Sequence, residues 1–278
     1  MNHRILTMVV AILVLVLGTA SAADEPVFVD PNTARWQVEH IDATFDTFYF
    51  GLPGDVPISG DWDCDGIDSA GMWRPENGFM YLQDDATGVA NERLFLGREG
   101  HVPLAGDWDG DGCDTVGVYV PSSGRVRLSN DLEPGFDVNY YFGVPGDWPF
   151  VGDFDEDGID EIGLHRESTG LIYLRMTHTT GIADSEFYFG VRGDRIVTGD
   201  WDQDGDDTVA VFRPTDRRLY IQNDNVTAIA DASYPYSLPQ AIPVSGNYQE
   251  FLPAAPPENR NRSFTLAASG DFLIHSAV

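Results

Sequence analysis

The sequence predicts an all-β fold, a β-propeller of five blades of about 46 residues each. Three observations carry this expectation. The stretch GDWDCDGID at residues 60–68 returns as GDWDGDGCD at 106–114, GDFDEDGID at 152–160 and GDWDQDGDD at 199–207. Its opening glycines are spaced by 46, 46 and 47 residues, and a worn fifth copy opens at Gly246-Asn247-Tyr248 another 47 residues on. A fixed period of this length marks stacked supersecondary units. Within each period lie four short runs rich in β-branched and aromatic residues, bounded by Gly, Pro, Asn or Asp. Beyond the N-terminal segment, no apolar pattern of period 3.6 lasts long enough for a helix. Four strands per repeat match a propeller blade. An open stack of sheets is the other arrangement the period permits.

The chain opens Met1-Asn2-His3-Arg4, runs apolar over residues 5–17 and continues Gly18-Thr19-Ala20-Ser21-Ala22. A charged start, a short apolar run and small residues before a cut describe an export signal over residues 1–22. The apolar run is short for a membrane-spanning helix. Residues 23–34, with Pro26 and Pro31, read as an extended lead-in, and 35–278 as the repeat-built propeller.

From there the cycle is regular. An aromatic strand ending in Gly (Phe48-Tyr49-Phe50-Gly51) precedes a Pro53-Gly54-Asp55 turn. A short strand at 56–59 leads into the Asp-rich loop. Strands at 70–73 and 79–82 follow, joined through Arg74-Pro75 and Glu76-Asn77-Gly78. The fifth unit is degenerate, with an irregular excursion at 252–262 in place of its loop and further strands at 263–266 and 271–274. Residues 35–38 resemble the last strand of a repeat and would close the ring against the C-terminal unit, removing an exposed sheet edge. The strand at 271–274 competes for that place.

Formal net charge is -29, from 45 acidic against 16 basic residues, and every basic residue is arginine. Such an excess argues against nucleic acid or anionic membrane as partners. No stretch after the signal is long and apolar enough to span a membrane. Two cysteines, Cys64 and Cys113, occupy the fourth and seventh positions of neighbouring Asp loops. They are placed to pair in an oxidising compartment if the loops meet, and are otherwise two separate thiols.

The loops carry the chemical signal, D-x-D-x-D-G-x-D. Carboxylates at alternate positions can converge on one cation, and the Gly after the third Asp permits the sharp turn that brings the next carbonyl inward. The candidate metal ligands are Asp61, Asp63, Asp65 and Asp68 with the Ile67 carbonyl. The equivalent sets are Asp107, Asp109, Asp111 and Asp114 with Cys113; Asp153, Asp155, Asp157 and Asp160 with Ile159; and Asp200, Asp202, Asp204 and Asp207 with Asp206. Hard oxygen donors in this number suit calcium better than zinc or copper, so about four Ca²⁺ ions are expected. The alternative is a solvent-facing acidic turn, which leaves four like charges crowded together four times over. Glu is absent at position 12 and strands flank the loop, so it is not an EF-hand. The fifth copy, with Asn247, Gln249 and Phe251 at the ligand positions, is not expected to bind.

The combination of F-x-F-G, P-G-D-x-P, G-D-W-D-x-D-G-x-D and G-x-F-R-P resembles bacterial secreted FG-GAP or VCBS-type repeats. These are similar to the calcium-loop blades of integrin alpha chain propellers. The resemblance covers roughly residues 36–250. It implies calcium-stiffened blades and a role in extracellular binding or adhesion. Family loops often carry an acid at the ninth position, which here is Ser69, Thr115, Glu161 and Thr208, while the eighth is Asp throughout. Either position can close the metal shell.

Trp62, Trp108, Phe154 and Trp201 recur at the second loop position. Packing between blades is the expected role, with sugar stacking as the sharper alternative. Arg74, Arg166 and Arg213 are expected to pair with acids. The six histidines form no H-x-x-x-H, and neither a G-x-S-x-G elbow nor a phosphate-binding glycine loop occurs. Two sequons, at Asn225 and Asn261, matter only in a glycosylating host. The expected function is a secreted, calcium-stabilised binding or adhesion module with a protein or glycan partner. A structural envelope or matrix protein without a discrete ligand is the alternative. A carbohydrate-active enzyme is a third reading, which needs two carboxylates outside the loops at a defined separation.

Overall fold

A computed structural model of the protein describes residues 24–40, 44–226, 229–236, 238 and 240–248. The described residues form five four-stranded antiparallel blades. The first is β4 (Val56–Gly60), β5 (Ser69–Arg74), β6 (Phe79–Leu82) and β7 (Glu92–Phe95). The second is β8 (Val102–Gly106), β9 (Thr115–Val120), β10 (Arg125–Leu128) and β11 (Val138–Tyr141). The third is β12 (Trp148–Gly152), β13 (Glu161–Arg166), β14 (Leu171–Arg175) and β15 (Ser185–Tyr188). The fourth is β16 (Arg195–Gly199), β17 (Thr208–Arg213), β18 (Arg218–Ile221) and β19 (Ala232–Pro235).

The fifth blade joins the two ends of the described chain. Its inner strand is β20 (Ile242–Gly246), and β1 (Glu25–Asp30), β2 (Arg35–Glu39) and β3 (Phe45–Tyr49) complete it. Val27 faces Val244 on one side and Val38 on the other. The expected lead-in is therefore a strand, and the strand at 35–39 is third rather than last. Burial explains the difference: Val27, Phe28 and Val29 are each at most 1% exposed, so Pro26 lies within a core strand that ends just before Pro31. The expected strands at 263–266 and 271–274 and the excursion at 252–262 lie outside the described residues.

The inner strands β4, β8, β12, β16 and β20 contact one another in a closed circle, so the sheets form a ring and not an open stack. They surround an axial cavity of about 280 Å³. Apolar side chains fill the gaps between blades. Trp62 packs with Val116 and Val118 of the next blade, and Trp108 with Ile162 and Leu164. Phe154 shares a core cluster with Val209 and Val211, and Trp201 packs against the cluster that holds Phe28. The second loop position thus serves as an inter-blade wedge. Because strands alternate in direction, every Asp loop leaves the inner strand on one face, and every P-G-D turn enters it on the other.

That second face is held by repeated ion pairs. Arg74 grips Asp55 with two hydrogen bonds of 2.9 and 2.7 Å. Arg166 grips Asp147 at 2.8 and 2.8 Å, and Arg213 grips Asp194 at 2.9 and 2.7 Å. Each guanidinium also stacks over a tyrosine, Tyr81, Tyr173 or Tyr220, 4.5 to 4.6 Å from the ring centre. In the second blade Val120 stands in place of the arginine and His101 in place of the acid. His101 keeps the acid's local task, its Nδ1 accepting the Arg98 amide hydrogen at 3.3 Å. Burial, and after it the nearby Arg127 and Arg98, lower its pKa, which favours the neutral ring.

Candidate metal centre

Each Asp loop coils around its own first aspartate. Asp61 accepts the amide hydrogens of Asp65 at 3.0 Å and Gly66 at 2.7 Å. Asp107 accepts from Gly110, Asp111 and Gly112, and Asp153 from Asp157 and Gly158. Asp200 accepts from Asp204 at 3.1 Å. The aspartate at the fifth position repeats the pattern, Asp65, Asp111 and Asp157 each accepting from the seventh residue at 3.0 Å.

Two left-handed residues per loop make this coil possible. Gly66, Gly112, Gly158 and Gly205 have φ of 86°, 86°, 81° and 106°. At the fourth position Cys64, Gly110, Glu156 and Gln203 have φ of 64°, 75°, 62° and 66°. Three of those four are not glycine, so their loops hold a conformation that L-residues resist.

The coil gathers carboxylates. One oxygen from each of Asp61, Asp63 and Asp65 lies within 4.8 Å of the others. The same holds for Asp107, Asp109 and Asp111, and for Asp200, Asp202 and Asp204. In the third loop Asp153 and Asp155 meet Glu161 within that distance. Glu161, 2% exposed, also accepts the Phe154 amide hydrogen at 3.1 Å. Burial, reinforced by Asp155, Asp153 and Asp157, pushes its carboxyl up to about 8. The ninth position thus joins the cluster where it carries an acid.

The eighth position does something else. Asp114 leaves its own loop and receives the Asp61 amide hydrogen on Oδ2 at 2.8 Å, while donating its own amide hydrogen to the Asp61 carbonyl at 2.9 Å. Asp160 does the same to Asp107, and Asp207 to Asp153. Asp24 does it to Asp200, and Asp68 to Asn247. Five reciprocal clasps therefore run around the ring. The clusters do not bring in Asp68, Asp114, Asp160 and Asp207, each of which fastens the preceding loop instead. Burial is the first cause raising these carboxyls, Asp24 to about 6 and Asp114 to about 7, with Asp68, Asp160 and Asp207 also raised.

Seventh-position residues sit at the contact between adjacent loops. Cys113 is bonded to Cys64 in a disulfide spanning 49 residues of sequence. Gly110 lies against Ile159, where an added Cβ would approach Cγ1 to 3.2 Å. Asp206 lies near Glu156 and Asp204, and burial together with these acids pushes its carboxyl up to about 7.

The donors fit a hard cation. Each cluster presents carboxylate oxygens only, with no nitrogen or sulfur ligand. Oxygens on opposite sides of calcium stand about 5 Å apart, twice a Ca–O distance of roughly 2.4 Å. The clusters hold the first- and third-position aspartates of all four loops and the fifth-position aspartate of three; in the third loop Glu161, at the ninth position that the sequence left open, joins the cluster and the expected Asp157 does not. Sequence reasoning missed Asp24 as a clasp. The signal was its place 44 residues before Asp68, close to one repeat.

Comparison with known proteins shows a likeness of fold. No family model matches the chain, and no curated protein does. Among solved structures, the chain is similar to BBS1N in complex with ARL6DN, soaked with lead. Identity is 11%, over 76% of this chain and 64% of that one, with a TM-score of 0.40. It is also similar to virginiamycin B lyase from Staphylococcus aureus, at 10% identity over 76% of this chain and 66% of that chain, TM-score 0.42. For Hsv2 of Kluyvelomyces marxianus the values are 12%, 68%, 69% and 0.30. The chain spans just under two thirds of the length of the first two. The closed ring of five sheets and its loops define the class: a five-bladed β-propeller with an acidic loop on the same face of four blades.

Proposed function

We propose that this is an exported propeller whose Asp loops bind calcium, and that it acts as an extracellular binding or adhesion module. The observation that carries the reading is the fourfold clustering of hard oxygens, in register, on one face of a closed ring. Self-repulsion of so many acids destabilises a compact fold unless cations balance it. The likeness to FG-GAP or VCBS-type repeats supports the same reading, and the signal-like residues 1–22 support export. Among the described residues no helix is long and apolar enough to cross a membrane.

When bound, calcium would neutralise each cluster and stiffen its loop. The chain supplies the carboxylates of Asp61, Asp63 and Asp65 and their equivalents in the second and fourth loops, and those of Asp153, Asp155 and Glu161 in the third. Partner recognition is assigned to the arginines that break the repeat, of which Arg98 and Arg217 are exposed and Arg125, Arg127 and Arg218 half-buried. The deciding experiment is a calorimetric calcium titration of the chelator-stripped protein, paired with thermal unfolding. About four ions bound, a raised melting temperature and little response to magnesium are expected. Each filled site adds roughly 2.7 kcal/mol when free ion exceeds Kd by 100-fold. No binding and no melting shift would remove the calcium assignment.

A further inference from the structure

The contact between the fourth residue of one loop and the seventh of the next differs from blade to blade. Between loops one and two it is covalent, Cys64 to Cys113 with Cα atoms 4.7 Å apart. Between loops two and three it is apolar, Gly110 against Ile159. Between loops three and four it sets Glu156 near Asp206, two groups of like charge. One structural position therefore carries a staple, a van der Waals contact and a repulsion in turn.

The staple sits within the ion-gathering residues. Cys64 lies between Asp63 and Asp65 and holds the left-handed φ of 64° that the coil needs. Cys113 follows the Asp111-Gly112 corner, and its amide hydrogen goes to Asp111 Oδ1 at 3.0 Å. Next to it, Asp114 clasps Asp61. Residues 61–65 and 111–114 are thus tied by one covalent bond and two hydrogen bonds. Loops three and four have the clasp of Asp207 to Asp153 without the bond. Fixing a loop before its ligand arrives removes an ordering cost from binding, so preorganisation raises affinity.

We infer that the Cys64–Cys113 disulfide is a redox-dependent positioning element, which raises cation affinity in loops one and two and leaves loops three and four untouched. The inference rests on the ion-binding reading of the loops. A dithiol reductant supplies two electrons and two protons, converts the bridge to two thiols and closes to its own cyclic disulfide. Once released, Cys64 is free to leave its strained conformation, and the Asp63 and Asp65 carboxylates lose their fixed separation.

The test is calorimetric calcium titration of the chelator-stripped protein, oxidised and then held in excess dithiol. Reduction should weaken two of the four sites by roughly tenfold, the backbone entropy of about one residue per loop. The Cys64→Gly/Cys113→Ile double variant rebuilds the contact that Gly110 and Ile159 make one blade on. It should show the same two weakened sites and no response to dithiol. Hydrogen exchange with calcium withheld gives a local readout. On reduction, amides in 61–68 and 107–114 should quicken, while those in 153–160 and 200–207 should not. An unchanged four-site isotherm after reduction, or equal weakening of all sites, overturns the inference while leaving the ion reading intact. If the oxidised protein binds no calcium, the ion reading itself falls and the inference with it.

Discussion

Asp114 and Asp61 hold each other by main chain and side chain at once. The Asp61 amide donates to Asp114 Oδ2 at 2.8 Å, and the Asp114 amide donates to the Asp61 carbonyl at 2.9 Å. The clasp ties the eighth residue of one loop to the first of its neighbour, and four further pairs close the circle. Truncating Asp114 to Ala strips a buried amide of its acceptor, which costs about 1–3 kcal/mol. Asn keeps an acceptor oxygen and removes the charge, so Asp114→Asn should cost much less in metal-free protein. Urea unfolding of both variants under chelator tests the order.

The clasps also set the pH dependence of the metal-free fold. Burial raises Asp24 to about 6 and Asp114 to about 7 from an ordinary 3.8, so the folded state binds protons that the unfolded chain releases. Stability from such groups is full below about pH 4 and is lost as pH rises through 6 to 7. Three histidines, His101, His165 and His178, oppose this, because burial lowers their pKa and their contribution fades as pH falls below 6.5. Asp68, Asp160 and Asp207 add to the acid side. Under chelator the melting temperature should therefore rise from pH 8 to pH 6, with a shallower slope in Asp114→Asn. A melting temperature that falls over that interval would show the clasps to be fully ionised in the fold.

Glu161 is a costly residue without a cation. The residue is 2% exposed, and burial, reinforced by Asp155, Asp153 and Asp157, pushes its carboxyl up to about 8. The second and fourth loops carry Thr115 and Thr208 at that position. Glu161→Thr should raise metal-free stability at pH 8, by about 1–2 kcal/mol for relief of a buried charge, while weakening calcium binding at one site. Denaturation under chelator and a calcium isotherm must move in opposite directions. Movement in the same direction would leave Glu161 outside the ion's shell.

Ion pairs on the opposite face come in matched halves. Asp55 is 4% exposed and bonded twice to Arg74. Removing the arginine alone strands a buried charge, so Arg74→Val should cost roughly 3 kcal/mol or more. Adding Asp55→His recreates the Val120 and His101 pairing of the second blade and should recover most of that loss. A double-mutant cycle by chemical denaturation measures the coupling, and additive losses would contradict it.

Glycine positions separate strain from crowding. Gly66 has φ of 86° and open space around an added Cβ, so Gly66→Ala meets only the conformational cost, about 1–2 kcal/mol. Gly78 has φ of 76°, and an added Cβ would lie 2.1 Å from the Gly97 carbonyl oxygen. Gly78→Ala must displace backbone and should be the more damaging. Thermal melts of the two variants rank them directly.

The period, the strand count per period and the carboxylate spacing were all legible in the chain, because each is a local pattern repeated in register. Asp61, Asp63 and Asp65 can be read as a cluster from their alternation alone, since a coil of five residues brings them together whatever surrounds it. The Arg–Asp pairs were legible in part, because Arg74, Arg166 and Arg213 recur at one place in the cycle and vanish together with the acid in the second blade. What the tertiary structure decided depends on which residues meet across the ring. Local pattern assigned Asp114 to its own loop, and packing gave it to Asp61, 53 residues away. Residues 25–30 looked like part of a lead-in because Pro26 falls within them and Pro31 follows, yet pairing between β20 and β2 makes them a core strand. Cys64 and Cys113 pair because ring closure sets the fourth residue of one loop beside the seventh of the next. Contacts of that range are fixed by the closed circle of inner strands, and local spacing carries no record of them.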